Sequence, residues 1–389
     1  MGGNGMNLLT SHTLEERLET IESLSGQFKD RAAENDEKGR FPFENIEDLK
    51  RIKYTLLTAP KEYGGEEISL HEFVRLQEAI AIGDGSTALS IGWHMGLIMH
   101  LAETRPWDPK LFEFICKEVT KGALLNTCAT EAQTGSPTRG GKPTTIAQKS
   151  GDTWIINGRK TFSTMSPALD FFVETATIDE TGEVGSFLIP RETKGLSVIE
   201  TWDSIALRAT GSHDVVLDRV EIPFEYMTEM MSANKKRPAG YLLHIPACYL
   251  GIAEAAKREA ESFAKNYTPN SLNHPISELP TIRQKFGEIE LKLMQSRHFL
   301  YSVAKMWDGG SEQERQLLGP ELGAAKLTVT NQAIEVVDLA MRIVGARSLS
   351  QKSPLQRYYR DVRAGLHNPP MDDVTIMQLA FRGQAPFMR

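Results

Sequence analysis

The chain has 389 residues, 40% hydrophobic and 24% charged, the proportions of a soluble globular protein too long for one core, so two or three domains are expected. Its net charge is -7, and the short cluster Lys235, Lys236 and Arg237 reads as a solvated loop, so composition argues against a nucleic-acid partner. Cys116, Cys128 and Cys248 have no paired spacing, no apolar run reaches membrane-spanning length, and the start lacks a signal-peptide pattern; these argue against disulfides, zinc and membrane, and for a cytoplasmic protein.

The first region, 1–121, reads as helical. Thr13 and Glu16 fit a capping box, and Leu14, Leu18, Ile21, Leu24 and Phe28 recur on one helix face. Pro42 starts a second helix. Ser69 and Glu72 form another capping box before "LHEFVRLQEAIAIG", and the turn residues "GDGST" (83–87) end that helix. Further helices are expected over Ala88–Ala102 and on to about Lys121.

From 122 to 228 the pattern changes to short strands. Ser150-Gly151-Asp152 separates two β-rich runs, Asp179 to Gly185 separates two more, and "LSVIETW" and "DVVLDRVEIP" follow. Such a set predicts a small sandwich or barrel. From 229 to 389 long helices return. Ile282, Phe286, Ile289, Leu293, Leu300 and Ala304 share a face, and "PELGAAKLTVTNQAIEVVDLAMRIVG" is a second long helix, together implying a bundle or a subunit interface.

Some motifs fail on inspection. "GSPTRGGKP" (135–143) resembles a phosphate-binding loop, but Gly141 breaks the spacing, Pro143 stands where a Ser or Thr is needed, and no helix is expected to follow. His94 and His100 are six apart, poorly placed to share a helix face, and read as core or interface histidines; no metal pattern appears.

The stretches "ATEAQTGS" (129–136), "NGRKTFST" (157–164), "LRATGSHDVVLDRVEIP" (207–223), "GIAEAAKREAESFAKNY" and "RYYRDVRAG" together resemble the acyl-CoA dehydrogenase superfamily over nearly the whole chain. The resemblance implies a helical N-terminal domain, a middle β domain, a C-terminal four-helix bundle and a homotetramer. It also implies a flavin. Cys128, Ala129 and Thr130 would run along the isoalloxazine edge, and Gly135 and Ser136 would approach the phosphate. Phe162, Ser163 and Thr164 stand where the family has Trp-Ile/Val-Thr/Ser, with Phe162 covering the ring and Thr164 near N5. Short hydroxyl side chains suit that edge because they give and accept hydrogen bonds without crowding it. Arg342 takes the place of a familiar glutamine, and near Pro269 the family's pyrophosphate-binding arginine is missing. FAD is therefore expected with its adenosine end held differently, FMN being the alternative.

The family's catalytic carboxylate follows an Arg-Asp pair. Here that pair is Arg360-Asp361, and an ungapped count puts Pro369 at the glutamate position, removing a backbone N–H as well. The alternative segment of the family, here "RPAGYLLHIPACYLG", carries no Asp or Glu. His367 matches a histidine found in the flavin-dependent monooxygenase branch, and neutral imidazole suits proton transfer. Asp372 and Asp373 could cap the next helix or supply a displaced base, and His244 is a weaker candidate. The first reading is oxidation of an acyl-CoA or related thioester at the α,β carbons, with hydride passing to flavin N5 and a non-standard base; the alternative is a two-component monooxygenase using reduced flavin and oxygen. The partners would be an electron-transfer protein or a flavin reductase. A flavin-free relative with a binding role is the third reading.

Overall fold

The computed structural model describes residues 7–11, 13–134, 141–231 and 238–384. Gly135, Ser136, most of "GSPTRGGKP" and the Lys235–Arg237 cluster lie outside the described residues.

Helix α1 (Leu14–Lys38) begins at the expected capping box, with Thr13 accepting from Glu16 N, and ends at Gly39, whose φ of 60° makes a left-handed C-cap. It buries Ile21, Leu24, Phe28 and Ala32. The short α2 (Phe43–Arg51) follows Pro42. Helix α3 (Leu70–Gly83) is capped by Ser69. The run "GDGST" is less of a break than its composition predicts. Only Asp84 separates α3 from α4 (Gly85–Thr104), and its carboxylate accepts from Ser86 N and Thr87 N, so the turn-forming residues become a helix start. Helix α5 (Pro109–Thr120) leads to the sheet.

The strands are β1 (Leu125–Cys128), β2 (Ile146–Ser150), β3 (Thr153–Ser163), β4 (Phe171–Ile178), β5 (Val184–Pro190), β6 (Leu196–Ile199), β7 (His213–Pro223) and β8 (Met227–Met231). They join in the order β6-β7-β3-β2-β4-β5-β8, with β1 parallel to β4. Both expected hairpins form: β2 pairs β3 across Ser150 and Thr153, and β4 pairs β5 antiparallel. Phe172, Ala176 and Phe187 join the main core, whereas Phe171, Val173 and Leu188 pack with α4 and α5 in a second cluster.

The last third holds α6 (His244–Asn266), α7 (Pro280–Gly309), α8 (Glu312–Leu317), α9 (Gly319–Val344), α10 (Pro354–Asp361) and α11 (Asp372–Gln384). Helix α7 buries Ile289, Leu293, Leu300 and Ala304, while Ile282 and Phe286 pack half-buried against the same core. Helix α6 crosses α3 closely at Gly251: a Cβ there would come within 2.4 Å of the Glu78 carbonyl oxygen, so only hydrogen fits. No described helix is long and apolar enough to cross a membrane.

Candidate active site

The site is built where the turn after β1 meets the end of β3. His94 on α4 accepts from Leu125 N at 3.2 Å, which pins the start of β1. Beyond β1, Thr130 O accepts from Thr161 N at 2.8 Å, and the Asn126 amide donates to Thr164 O at 3.0 Å. The expected flavin-edge residues Cys128, Ala129 and Thr130 are thereby brought against Phe162, Ser163 and Thr164. Burial, with Glu174 adding to it, pushes the Cys128 thiol well above its usual range, so it is an uncharged wall group.

Under this turn lies a buried ion pair that motif reading alone does not reveal. Lys160 Nζ donates to Glu131 Oε1 at 2.7 Å, with the side chains 0% and 2% exposed. Glu131 also accepts from the backbone and hydroxyl groups of Thr144 and Thr145, and Lys160 also donates to Thr175 O. Burial works against a charged Glu131, but Lys160, Thr144 and Thr145 outweigh it and hold the carboxyl at about 2. Nearby Glu174 is the converse case. It is fully buried with no hydrogen-bond partner on either oxygen among the described residues, and burial raises it to about 8 against the opposing pull of Lys160.

Strand β3 is irregular at its end. Its register against β7 shifts between Lys160 and Ser163, and Phe162 sits at φ 56°, a left-handed conformation costly for an aromatic residue. The bulge turns the Phe162 ring outward, where it is 63% exposed and meets Trp202 edge-on with centroids 5.9 Å apart. His213 Nδ1 accepts from Thr201 N and Trp202 N, both at 3.1 Å, so a neutral ring holds the Trp202 segment. Thr164 Oγ1 lies 3.0 Å from Ser212 Oγ, which lies 2.8 Å from Thr210 Oγ1.

The segment 205–210 is tied in turn to α10. Leu207 N donates to Asp361 Oδ1 at 2.7 Å, and Arg360 donates to Ile205 O at 2.6 Å and forks onto both carboxylate oxygens of Asp36. Arg208 Nε donates to Asp36 O at 2.8 Å. Burial raises Asp361 to about 7, opposed by the Leu207 N–H and by Arg357 and Arg360. The Arg-Asp pair that serves only as a counting mark in the sequence is thus the fastening between α10 and the β-domain loop.

The loop after α10 contains the other expected residues. His367 is exposed, ending a 3-10 turn over Val362–His367. Tyr249 on α6 donates to Asn368 Oδ1 at 2.5 Å. Asp372 opens α11, and its two oxygens accept from Lys326 Nζ and Asn331 Nδ2, each at 3.1 Å; Lys326 is itself buried. Asp373 is exposed in the same first turn. His244 is buried with no partner on either ring nitrogen among the described residues, beside Trp93 at 4.9 Å, and burial lowers it to about 3, which makes it a weak base. Arg342 is exposed in the last turn of α9, paired with Asp338 at 2.7 Å, in an element separate from the strand pair.

An exposed aromatic ring held on a bulge, beside hydroxyls and strand-end backbone, suits a planar heteroaromatic group with polar edges. Comparison with known proteins gives this arrangement a context. The acyl-CoA dehydrogenase N-terminal, middle and C-terminal domain models match residues 2–104, 126–220 and 243–366. The chain is 52% identical over 364 residues to the putative acyl-CoA dehydrogenase YdbM of Bacillus subtilis, covering 93% of this chain and 95% of that one. It is 28% identical to L-evernosamine nitrososynthase of a Micromonospora strain, covering 86% and 81% of the two chains. The structure of KijD3 in complex with FMN and a dTDP-amino-keto sugar superposes with a TM-score of 0.84 at 25% identity, covering 98% and 96%. With all three domain models in order and a half-identical relative along nearly its full length, the chain belongs to the acyl-CoA dehydrogenase family.

Proposed function

We propose that this protein is a flavin-dependent monooxygenase of the two-component kind, taking reduced flavin from a separate reductase and using oxygen on a small-molecule substrate. The observation that carries the reading is the state of the loop after α10. Removing a proton next to a thioester carbonyl needs a carboxylate base. Pro369 stands at the expected place of that base, and Asp372 is engaged by Lys326 and Asn331. What the loop presents instead is the exposed imidazole of His367, followed by Asn368, which Tyr249 holds in place.

The cofactor is a flavin, FAD by family with FMN as the alternative. When bound and reduced it supplies the two electrons that activate oxygen. The chain's own residues do the rest. Phe162 would cover one face of the ring, the 128–130 backbone would line its edge, and Thr164 would stand near N5. His367 takes or gives a proton at its imidazole nitrogen. Assembly as a homotetramer is part of the reading, supported by exposed Leu291 and Met294 on α7 and Ile376, Met377 and Phe381 on α11.

The test is to mix the anaerobic complex of protein and reduced flavin with oxygen. Reoxidation much slower than that of free flavin, and accelerated by His367→Ala, is expected; reoxidation at the free-flavin rate would reject the reading. A second reading, α,β-dehydrogenation of an acyl-CoA, is favoured by the half-identical relative named as a putative acyl-CoA dehydrogenase. In that reading His367, Asp373 or Asp372 supplies the base and an electron-transfer protein takes the electrons. Anaerobic bleaching of oxidised flavin by an acyl-CoA would establish it.

A further inference from the structure

Three hydroxyl groups run in a string from the candidate N5 contact to a fixed carbonyl, and the direction of their protons can be worked out. Each hydroxyl has one proton to give. Thr210 Oγ1 lies 3.0 Å from Leu207 O, and a carbonyl can only accept, so Thr210 donates there. Its proton is then spent, and the 2.8 Å contact between Thr210 and Ser212 requires Ser212 to donate. Ser212 is spent in turn, and the 3.0 Å contact with Thr164 requires Thr164 to donate to Ser212. Only lone pairs remain on Thr164 Oγ1.

The anchor of the string is well held. Leu207 O also accepts from Thr210 N at 3.1 Å and Trp202 Nε1 at 3.2 Å, while Leu207 N is bonded to Asp361. Thr210 and Ser212 are both buried, which shields this end of the string from bulk water, whereas Thr164 is half-buried with an open side.

We infer that the Thr210–Ser212 pair polarises Thr164 into a hydrogen-bond acceptor toward the cofactor, so that this site favours reduced flavin, whose N5 carries a proton, over oxidised flavin, whose N5 is itself an acceptor. The inference rests on the reading that Thr164 meets N5. Thr210 and Ser212 are positioning residues: they touch no cofactor and act only through Thr164. A site built this way receives reduced flavin from solution and retains it, the behaviour a two-component monooxygenase needs.

The experiment compares anaerobic binding of reduced and oxidised FAD and FMN to the wild type and to three variants, with thermal melts to verify folding. The wild type is expected to bind the reduced form about tenfold more tightly, one hydrogen bond's worth of preference. That corresponds to a bound-flavin potential about 30 mV above free flavin for a two-electron couple. Ser212→Ala releases the Thr164 proton, and the preference falls toward one. Thr210→Val, which keeps the shape and removes the anchor, lets Ser212 donate to Thr164 and Thr164 donate outward; the preference falls at least as far. Thr164→Val, which removes the accepting hydroxyl itself, loses the preference as well. If Thr210→Val does not fold, Ser212→Ala against the wild type decides the matter. An unchanged ratio in folded Ser212→Ala and Thr210→Val that still bind flavin would overturn the polarity argument alone. Failure of the wild type to bind either flavin form would overturn it together with the flavin reading.

Discussion

Lys160 and Glu131 form a 2.7 Å ion pair in which neither side chain reaches solvent, directly beneath the turn that carries Ala129 and Thr130. Among the described residues six further groups converge on the pair: the backbone N–H and hydroxyl of Thr144, those of Thr145, and the carbonyl and hydroxyl of Thr175. Desolvating two charges is costly, and this many partners is what offsets it. Lys160→Met leaves Glu131 buried and unpaired and should destabilise the protein by about 3–5 kcal/mol in urea unfolding. The double change Lys160→Met with Glu131→Leu should recover part of that loss, because no lone charge is left. A single variant within about 0.5 kcal/mol of wild type would show that the pair does not hold the turn.

Glu174 should give the protein an unusual dependence on pH. Its folded value of about 8 lies above the unfolded glutamate value. Below the unfolded value the group is protonated in both states and its contribution is complete. As pH rises toward 8 the unfolded chain releases the proton and the folded one keeps it, so stability falls across that window and then levels off. Glu131 acts in the opposite sense: its value of about 2 gives stability present above the unfolded value and lost as pH falls toward 2. Glu174→Gln should remove the neutral-range decline, with a gain near pH 8 on the order of a few kcal/mol and little change near pH 4. Denaturation midpoints measured across that range check this, and parallel curves for variant and wild type would rule it out.

Asp372 is predicted to be structural. Replacing it by Asn leaves the buried Lys326 ammonium without its counter-charge, at a cost of about 1–2 kcal/mol, toward the low end because Asp372 is partly exposed. Any anaerobic bleaching of oxidised flavin by an acyl-CoA should stay within about twofold of the wild-type rate, since a removed base would cost about a hundredfold or more. A collapse in turnover with unchanged stability would instead make Asp372 the displaced base.

At Phe162 two truncations should separate backbone from ring. Glycine adopts a φ of 56° freely and alanine does not, so Phe162→Gly should be more stable than Phe162→Ala by about 1 kcal/mol, the reverse of their usual order. Both lose the ring and should weaken flavin binding alike. Melting curves and flavin titrations of the two proteins separate these effects, and a more stable alanine variant would mean the bulge relaxes.

How legible the molecule was depended on the range of each interaction. The capping boxes at Thr13 and Ser69 span three residues and could be read directly. Asp84 was harder, because "GDGST" has turn composition and only the packed structure shows one residue serving as the whole break. The strand ends carrying Cys128–Thr130 and Phe162–Thr164 were recognisable as motifs, but the outward turn of Phe162 depends on a bulge against β7, about fifty residues away, that no local pattern encodes. Lys160 and Glu131 look like ordinary charged residues in a β-rich stretch; only the sheet brings them together. The bond from Leu207 to Asp361 crosses 154 residues, and the sequence marks only its far end, as the Arg360-Asp361 pair of the family resemblance.

The knot of Asp36, Ile205, Arg208 and Arg360 has a consequence for how the chain is made. Contacts that join positions so far apart cannot form until the later partner exists, and closing such loops is slow. During synthesis the segment bearing Thr210 and Ser212 would emerge with its strands able to pair, yet the Leu207 N–H would lack its partner until residue 361 has been added. The hydroxyl string would then be among the last features to settle, so a chain cut short before α10 would keep its sheet while losing the order of the 205–212 segment.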